Sequence, residues 1–404
     1  MHEAVKEYIR REIYSNRVVP YIGKEIIKVL TGQRRTGKSY LLFQTMDDIK
    51  VRYPDAPILY INMELMGFSH IQSYKDLYDF IKENSVADSL NFVMIDEIQQ
   101  VEGFENTLRS LLAEGGYDIY CTGSNAKLLS GELGTYLSGR YIEIPVYSLS
   151  FVEFLEFHDL PMESESLNKY LKFGGLPYLK HLTLEDEIVF DYLSNINQSI
   201  LFRDVVQRFN VRNIDFLTRL VQYLAKETGN IISATSISKY LKSQQISNSL
   251  NATINYLSYL TTSLLVSGAK RVNLRSKKVF EIGEKFYFND IGIRNSIAGY
   301  SPFDLGQIME NIVFLHLRIQ GFEVYVGQKD GKEIDFVASK GGETVYFQVA
   351  LRIDEKKTME REFGNLLSIK DNFRKYLITM DDFEGNSYQG IQHLSLMKLL
   401  TEFK

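Results

Sequence analysis

Gly32-Gln33-Arg34-Arg35-Thr36-Gly37-Lys38-Ser39 sets two glycines, a lysine and a hydroxyl in the spacing G-x-x-x-x-G-K-[ST]. Glycines at these positions let the backbone curl so that its N–H groups point inward. Those donors, with the positive end of a following helix, can cradle the phosphates of a nucleotide. Lys38 would reach the β- and γ-phosphates, and the Ser39 hydroxyl would ligate Mg²⁺. Gln33, Arg34, Arg35, Thr36 and Tyr40 belong to the same candidate nucleotide-binding stretch; the bland reading of Arg34 and Arg35 is solvated loop charge. A second constellation follows the apolar run Phe92-Val93-Met94-Ile95, which ends in Asp96-Glu97. Asp96 at a strand tip would hold Mg²⁺, and Glu97 would polarise water attacking the γ-phosphate. In Thr122-Gly123-Ser124-Asn125, Asn125 is a candidate contact for the γ-phosphate or that water, and a helix N-cap is the alternative. Arg140, after Leu137-Ser138-Gly139, would stabilise transition-state charge in its own subunit or in a neighbour; a surface ion pair is the competing reading.

Such residues work only if strands and helices hold them together. Ile26-Ile27-Lys28-Val29-Leu30 reads as a strand leading into the loop, and Tyr40-Leu41-Leu42-Phe43-Gln44 as the start of a helix. Further strands are expected at Ile58–Ile61, Phe92–Ile95, Asp118–Thr122 and Tyr141–Ile144. Helices are expected over Ser73–Glu83 and Phe104–Ala113. Apolar strands alternating with helices predict an α/β fold with a parallel sheet covered on both faces. Ligands on such a sheet bind at the carboxyl ends of its strands.

The order GQRRTGKS, the strand ending Asp96-Glu97-Ile98-Gln99, TGSNAKLL and LSGRYIEIPVYSLSFVEF resembles a family of prokaryotic AAA-type ATPases. The resemblance implies a P-loop NTPase with an extra strand between the two phosphate-site strands, and Mg²⁺-dependent ATP hydrolysis. YLKFGGLPYLK and KFYFNDIGIRNSIAG resemble the C-terminal region of the same family, so the likeness covers nearly the whole chain.

The 404 residues, 45% hydrophobic and 24% charged with 7 Pro, predict a folded chain of two or three domains. The net charge of −5 argues neither for nor against nucleic acid. One cysteine, Cys121, excludes an internal disulfide and reads as a small buried hydrophobe. The six histidines are not spaced for a zinc site. There is no signal-peptide pattern and no apolar run of membrane-spanning length, so a soluble cytoplasmic protein is expected.

Residues 151–298 read as helices, broken at Gly174-Gly175-Leu176-Pro177, and then as a winged-helix order. Thr235–Lys242 is a first helix. A second, capped by Ser247, runs to about Leu260, and strand-like runs follow at Leu264–Leu274 and Lys278–Ile282. The second helix would expose Asn248, Ser249, Asn251, Thr253 and Asn255. Residues 231–285 hold eight Lys or Arg against two Glu. Lys270, Arg271, Arg275, Lys277 and Lys278 on the hairpin are candidate DNA contacts. A protein-binding module, or a solvated strand edge, competes with that reading.

Residues 299–404 resemble the restriction-endonuclease-like fold: a helix around Glu310–Leu317, strands at Phe322–Val326, Glu333–Ala338 and Thr344–Ala350, a helix from about Glu355 to Asp371, and a strand Lys375–Thr379. By that resemblance Glu310 matches the helix acid of the nuclease site and Asp335 the strand acid. Gln348-Val349-Ala350 stands where Glu-x-Lys is expected. A neutral amide is a poorer Mg²⁺ ligand than a carboxylate, and alanine cannot activate water. Lys332 or Lys340 could stand in for the lost lysine. An inactive binding or assembly module is expected in preference to a nuclease.

The reading is thus a cytoplasmic ATPase with an AAA-type domain at 1–150, a helical and winged-helix domain at 151–298, and a degenerate nuclease-like domain at 299–404. ATP and Mg²⁺ are the expected cofactors. DNA and a second copy of the chain are the candidate partners. A nucleotide-gated switch for protein partners and an ATP-regulated nuclease are the alternatives.

Overall fold

The computed structural model describes residues 8–126, 137, 139–246, 249–352, 363–381 and 387–404. Lys127, Leu128 and Leu129 of the TGSNAKLL segment lie outside the described residues, as do Ser138, Ser247, Asn248 and the start of the helix expected from Glu355. The chain divides into two compact units, Met1–Val146 with Thr262–Leu264, and Tyr147–Thr261 with Leu265–Lys404.

The first unit is a five-stranded sheet in the order β2-β3-β4-β1-β5, every pair parallel. The strands are β1 (Ile27–Thr31), β2 (Ile58–Asn62), β3 (Asn91–Asp96), β4 (Tyr117–Gly123) and β5 (Tyr141–Pro145). All residues of β1, β3 and β4 are buried, as continuous apolar strands between two helical layers should be. Helices α1 (Glu12–Val18) and α2 (Lys38–Arg52) send Tyr14, Val18, Leu41, Leu42, Met46 and Ile49 against Leu30, Phe92, Met94 and Tyr120. Helices α3 (Tyr74–Glu83) and α4 (Phe104–Glu114) send Leu77, Ile81, Leu108 and Leu111 against the alternate residues Val29, Val93, Ile95 and Cys121. Cys121 is fully buried, and burial pushes its thiol up to about 12. The strand bearing the second motif, β3, is separated from β1 by β4, and because both pairings are parallel the two carboxyl tips face the same end of the sheet.

A buried ion pair crosses β1 and β4. Lys28 bonds Asp118, whose other oxygen accepts from the Gly23 N–H at 2.7 Å and the Tyr120 hydroxyl at 2.9 Å. Satisfying these remaining lone pairs is what makes a buried pair tolerable.

The second unit is built on a nine-stranded sheet. Its strands are β6 (Ile231–Ile232), β7 (Val266–Asn273), β8 (Val279–Phe288), β9 (Glu323–Lys329), β10 (Lys332–Lys340), β11 (Glu343–Val349), β12 (Arg374–Thr379), β13 (Ser387–Tyr388) and β14 (Ile391–Ser395). Their order is β13-β14-β12-β11-β10-β9-β7-β8-β6. The hairpin β7–β8 joins the tail strands through a parallel pairing of β7 with β9, Arg271 opposite Val326. The division expected at 298/299 falls inside this unit, and one sheet spans it. The helix Leu305–Ile319 lays Met309, Ile312 and Val313 into a core with Phe336, Ala338 and Phe347.

Two sequence segments interlock here. Gly174, at φ 76°, closes the helix Ser164–Phe173, and a Cβ on it would lie 2.5 Å from Asp290 Oδ1. Asp290 accepts from the Gly175 N–H at 2.9 Å and caps the next helix by accepting from Ile293 at 3.1 Å. Gly292 passes so close that a Cβ would meet the Phe173 carbonyl at 2.0 Å. Asn295 completes the lock, donating to the carbonyls of Leu171 and Lys172. The GGLP and NDIG segments are therefore a backbone clasp.

In the segment with the basic hairpin, helices Ala234–Ser243 and Leu250–Thr262 precede β7 and β8, and β6 pairs with β8 at the sheet edge. Thr253, expected on the exposed face of the second helix, is instead buried, with its hydroxyl bonded to the Ser249 carbonyl. The residues 363–367 are helical, and Asp371 lies beyond them, paired with Lys375 at 2.9 Å.

Candidate functional site

The loop between β1 and α2 is shaped by close backbone approach. A Cβ on Gly32 would sit 2.2 Å from the Val146 carbonyl oxygen, so only glycine fits at that crossing. Gly37 adopts φ 90° and turns the chain into α2. Within the curl, Thr36 is fully buried and donates to the Gln33 carbonyl at 2.9 Å; the Arg11 guanidinium fastens the Thr36 carbonyl at 3.0 Å. The Lys38 ammonium is 4% exposed and donates to the carbonyls of Gly32 at 3.0 Å and Gln33 at 3.1 Å. It also lies 3.7 Å from Glu97 Oε1. That last distance joins the loop to the tip of β3, so the two motifs form one site.

At that tip, Asp96 is buried and accepts a hydrogen bond from Thr122, and a second from the Tyr60 hydroxyl at 3.1 Å. Glu97 stands in the left-handed region at φ 57°, a costly conformation for a residue with a Cβ. The Thr122 hydroxyl helps hold it there by accepting the Glu97 N–H at 2.9 Å. Thr122, at the tip of β4, thus serves both acids. Sequence reading passed over it because its position beside them depends on strand order. Gln99 donates to Glu97 and, at 3.3 Å, to Ser124. Burial raises the Glu97 carboxyl, but the Lys38 charge, the Gln99 amide and Arg34 outweigh it and hold the group below its ordinary value. Glu97 is therefore an ionised acceptor at neutral pH.

Arg34 pairs with Glu64 at 3.0 Å, while Arg35 is exposed at φ 72°. Gln33 is buried with neither end of its amide hydrogen-bonded among the described residues. Ser39 is half-buried at the start of α2, and Tyr40 is exposed. Asn125 is buried just beyond β4. Ser39 and Asp96 offer hydroxyl and carboxylate oxygens, the donor set a hard cation such as Mg²⁺ takes.

Arg140 does not join this site in its own subunit. Its carbonyl accepts from Ile27 N at 3.0 Å, at the beginning of β1, whereas the loop follows the end of β1. Parallel pairing of β5 with β1 puts the residue before β5 at the opposite end of the sheet from the phosphate loop.

The second unit gathers other expected residues. Glu310 and Asp335 do come together, but around Lys285 of β8. The Lys285 ammonium lies 2.8 Å from Glu310, 2.6 Å from Glu333 and 3.6 Å from Asp335, and is 2% exposed. Neither Lys332 nor Lys340 takes that place. Tyr287 donates to Glu310 at 2.6 Å, and the Val349 N–H to Asp335 at 2.8 Å. Gln348 is buried, and its Oε1 accepts no hydrogen bond among the described residues. Burial raises the Asp335 carboxyl to about 8 and the charge of Glu310 adds to this; Lys285 opposes both. Among the described residues no group of three or more His, Cys, Asp or Glu side chains has metal-holding geometry.

On the hairpin, Lys270, Arg275, Lys277 and Lys278 are exposed. Arg271 is engaged, donating to Gln328 at 2.6 Å and stacking over Phe280 at 4.7 Å. Lys285, counted in the basic segment by sequence, does not contribute to its surface charge. No helix among the described residues is long and apolar enough to cross a membrane.

Residues 24–155 match the AAA domain family, and residues 164–304 match a domain of unknown function, DUF8612. An uncharacterized protein of Haemophilus influenzae is 35% identical over 403 residues, covering 98% of this chain and all of that protein. The chain belongs to the same family as that protein, and its residues 24–155 are an AAA domain. An uncharacterized protein of Methanocaldococcus jannaschii is 30% identical to this AAA-type protein, over 91% of the chain and 86% of its own length. Among solved structures, a Walker-type ATPase of Pyrococcus abyssi is 15% identical, with a TM-score of 0.48 over 73% of this chain and 99% of its own. The Orc1 protein of Aeropyrum pernix in complex with DNA is 11% identical, with a TM-score of 0.33 over 72% and 93%.

Proposed function

We propose that this AAA-type protein hydrolyses Mg²⁺-ATP at the junction of the phosphate loop and the β3 tip. The observation that carries the reading is the 3.7 Å approach of Lys38 to Glu97, with Asp96 beside it. Lys38 leaves the carbonyls of Gly32 and Gln33 to bind the β- and γ-phosphates, while loop N–H groups hold the same oxygens. Ser39 and Asp96 would hold Mg²⁺, which would neutralise charge on the phosphates. Glu97 orients water toward the γ-phosphate and accepts its proton. Asn125 contacts the γ-phosphate from the end of β4. Arg140, exposed at the far end of the sheet, acts on a neighbouring copy. Glu97→Gln is expected to lower phosphate release by about 10²–10³-fold while ATP still binds. Unchanged release in that variant would remove Glu97 from the mechanism.

We further propose that nucleotide state controls binding of DNA by the helix–helix–hairpin segment. The winged-helix reading is supported by the order of β6, two helices, β7 and β8. Exposed Lys270, Arg275, Lys277 and Lys278 supply charge for phosphates, with Arg271 held near the turn of the hairpin. A second reading, binding of a protein partner, is favoured by Leu250, Ile254, Val279 and Ile282, which are 44%, 48%, 47% and 75% exposed on the same elements. Salt-sensitive DNA affinity supports the first; salt-insensitive capture of protein without DNA affinity supports the second. The tail's strand order, β9 to β11 antiparallel and β12 parallel to β11, supports the restriction-endonuclease-like reading. Nuclease activity is disfavoured by Gln348 and Ala350, and by Lys285 among the acids.

A further inference from the structure

The acids of the second unit surround a cation that the chain itself supplies. Glu310 comes from the helix Leu305–Ile319, Glu333 and Asp335 from β10, and Lys285 from β8. One ammonium with three N–H donors meets three carboxyl groups. Its single charge balances one ionised carboxylate. Gln348 adds a further oxygen. The β10–β11 register, Phe336 opposite Phe347, sets Gln348 directly across from Asp335, and cross-strand neighbours share a face. Its Oε1 is buried and unmet among the described residues. Three carboxyl groups and an amide oxygen, from a helix and two strands, are oxygen donors of the type a hard divalent ion takes, although around the lysine the acids do not stand in metal-holding geometry. The lysine fills their centre.

We propose that the Lys285 ammonium is a built-in substitute for a divalent metal ion, and that Glu310, Glu333, Asp335 and Gln348 become a divalent-cation site once it is removed. A divalent ion would be repelled by an ammonium held in the same space, so the native chain keeps the site metal-free. The substitution also ties the hairpin strand to the tail helix. The hairpin and the acids therefore share one cluster, and no metal is needed to hold it.

The test uses the full chain without nucleotide and Mn²⁺ as the probe, followed by calorimetric titration and by the spin-resonance signal of free Mn²⁺. The native protein is expected to show no Asp335-dependent Mn²⁺ binding up to about 1 mM, the weak end of oxygen-donor sites. Lys285→Met is expected to gain one Mn²⁺ per chain. Its melting temperature should fall by roughly 10 °C in EDTA and recover with Mn²⁺. Adding Asp335→Asn should abolish that binding. Should Lys285→Met fail to fold, Lys285→Met with Glu333→Gln lowers the charge to be balanced and still retains two carboxyl groups and the amide. It should bind Mn²⁺ more weakly. Asp335-dependent binding by the native chain overturns the proposal, as does absence of binding in both lysine variants.

Discussion

Two buried lysines, one in each unit, meet carboxylates to opposite effect. Lys38 is held by two loop carbonyls and stands 3.7 Å from one acid, in a curl shaped by Gly32 and Gly37. Lys285 is surrounded by three acids and pinned by them. The first cation donates to neutral carbonyls, and a phosphate oxygen bearing full charge attracts an ammonium more strongly than a carbonyl dipole does. The second is already neutralised. A lysine's chemistry is set by whether its partners can be displaced, and burial alone does not distinguish the two.

Replacing each lysine tests the contrast. Lys38→Ala is expected to cost activity, abolishing ATP binding or lowering phosphate release by at least about 10³-fold, with little change in melting. Lys285→Met is expected to cost stability, about 3–5 kcal/mol in metal-free buffer, because it leaves acids buried without their cation. Denaturant unfolding followed in the second unit checks it. A variant pair with the two costs exchanged would break the comparison.

Acid sharpens it further. His316 is buried, its Nε2 lies 2.9 Å from the Phe403 carbonyl, and burial lowers its pKa from 6.5 to about 4. Since a carbonyl only accepts, Nε2 carries the proton. The unfolded chain takes up a further proton below about pH 6.5, and the folded one only near pH 4. Stability therefore falls as pH drops through that window, by about 2 kcal/mol at pH 5 from this group alone. The raised Asp335 carboxyl acts in the opposite sense over the same interval, so the His316 contribution is read as a difference: in chemical denaturation at pH 7 and pH 5, the native chain should lose about 2 kcal/mol more than His316→Gln.

The smallest effect concerns the hairpin. Replacing Lys270, Arg275, Lys277 and Lys278 singly with Gln should each reduce the salt slope of DNA binding by about one unit, in fluorescence anisotropy at several salt concentrations. Arg271→Gln should also loosen the turn end of the hairpin, because it removes the bond to Gln328.

The phosphate loop was legible because its chemistry is contiguous: eight adjacent residues carry the glycines, the lysine and the hydroxyl. Asp96-Glu97 was legible because an apolar strand points at it. The flanking strands were found for the same local reason, to within a residue or two. What failed depends on pairing between distant segments. Thr122 reaches two acids only because β4 lies between β1 and β3. Arg140 precedes a parallel strand, which sends it away from its own loop. Lys285 counts as one more basic residue in the sequence, and only the strand that carries it reveals the acids it faces. Thr253 shows the limit within a single helix, where a polar side chain can satisfy itself against the preceding turn and stay buried.

The most direct measurement is ATP binding and phosphate release by the native chain, Lys38→Ala and Glu97→Gln, measured side by side with Mg²⁺. The account predicts binding and turnover in the first, neither in the second, and binding with turnover lowered by about 10²–10³-fold in the third. Native-level turnover in Lys38→Ala would contradict it, whatever the other two proteins did.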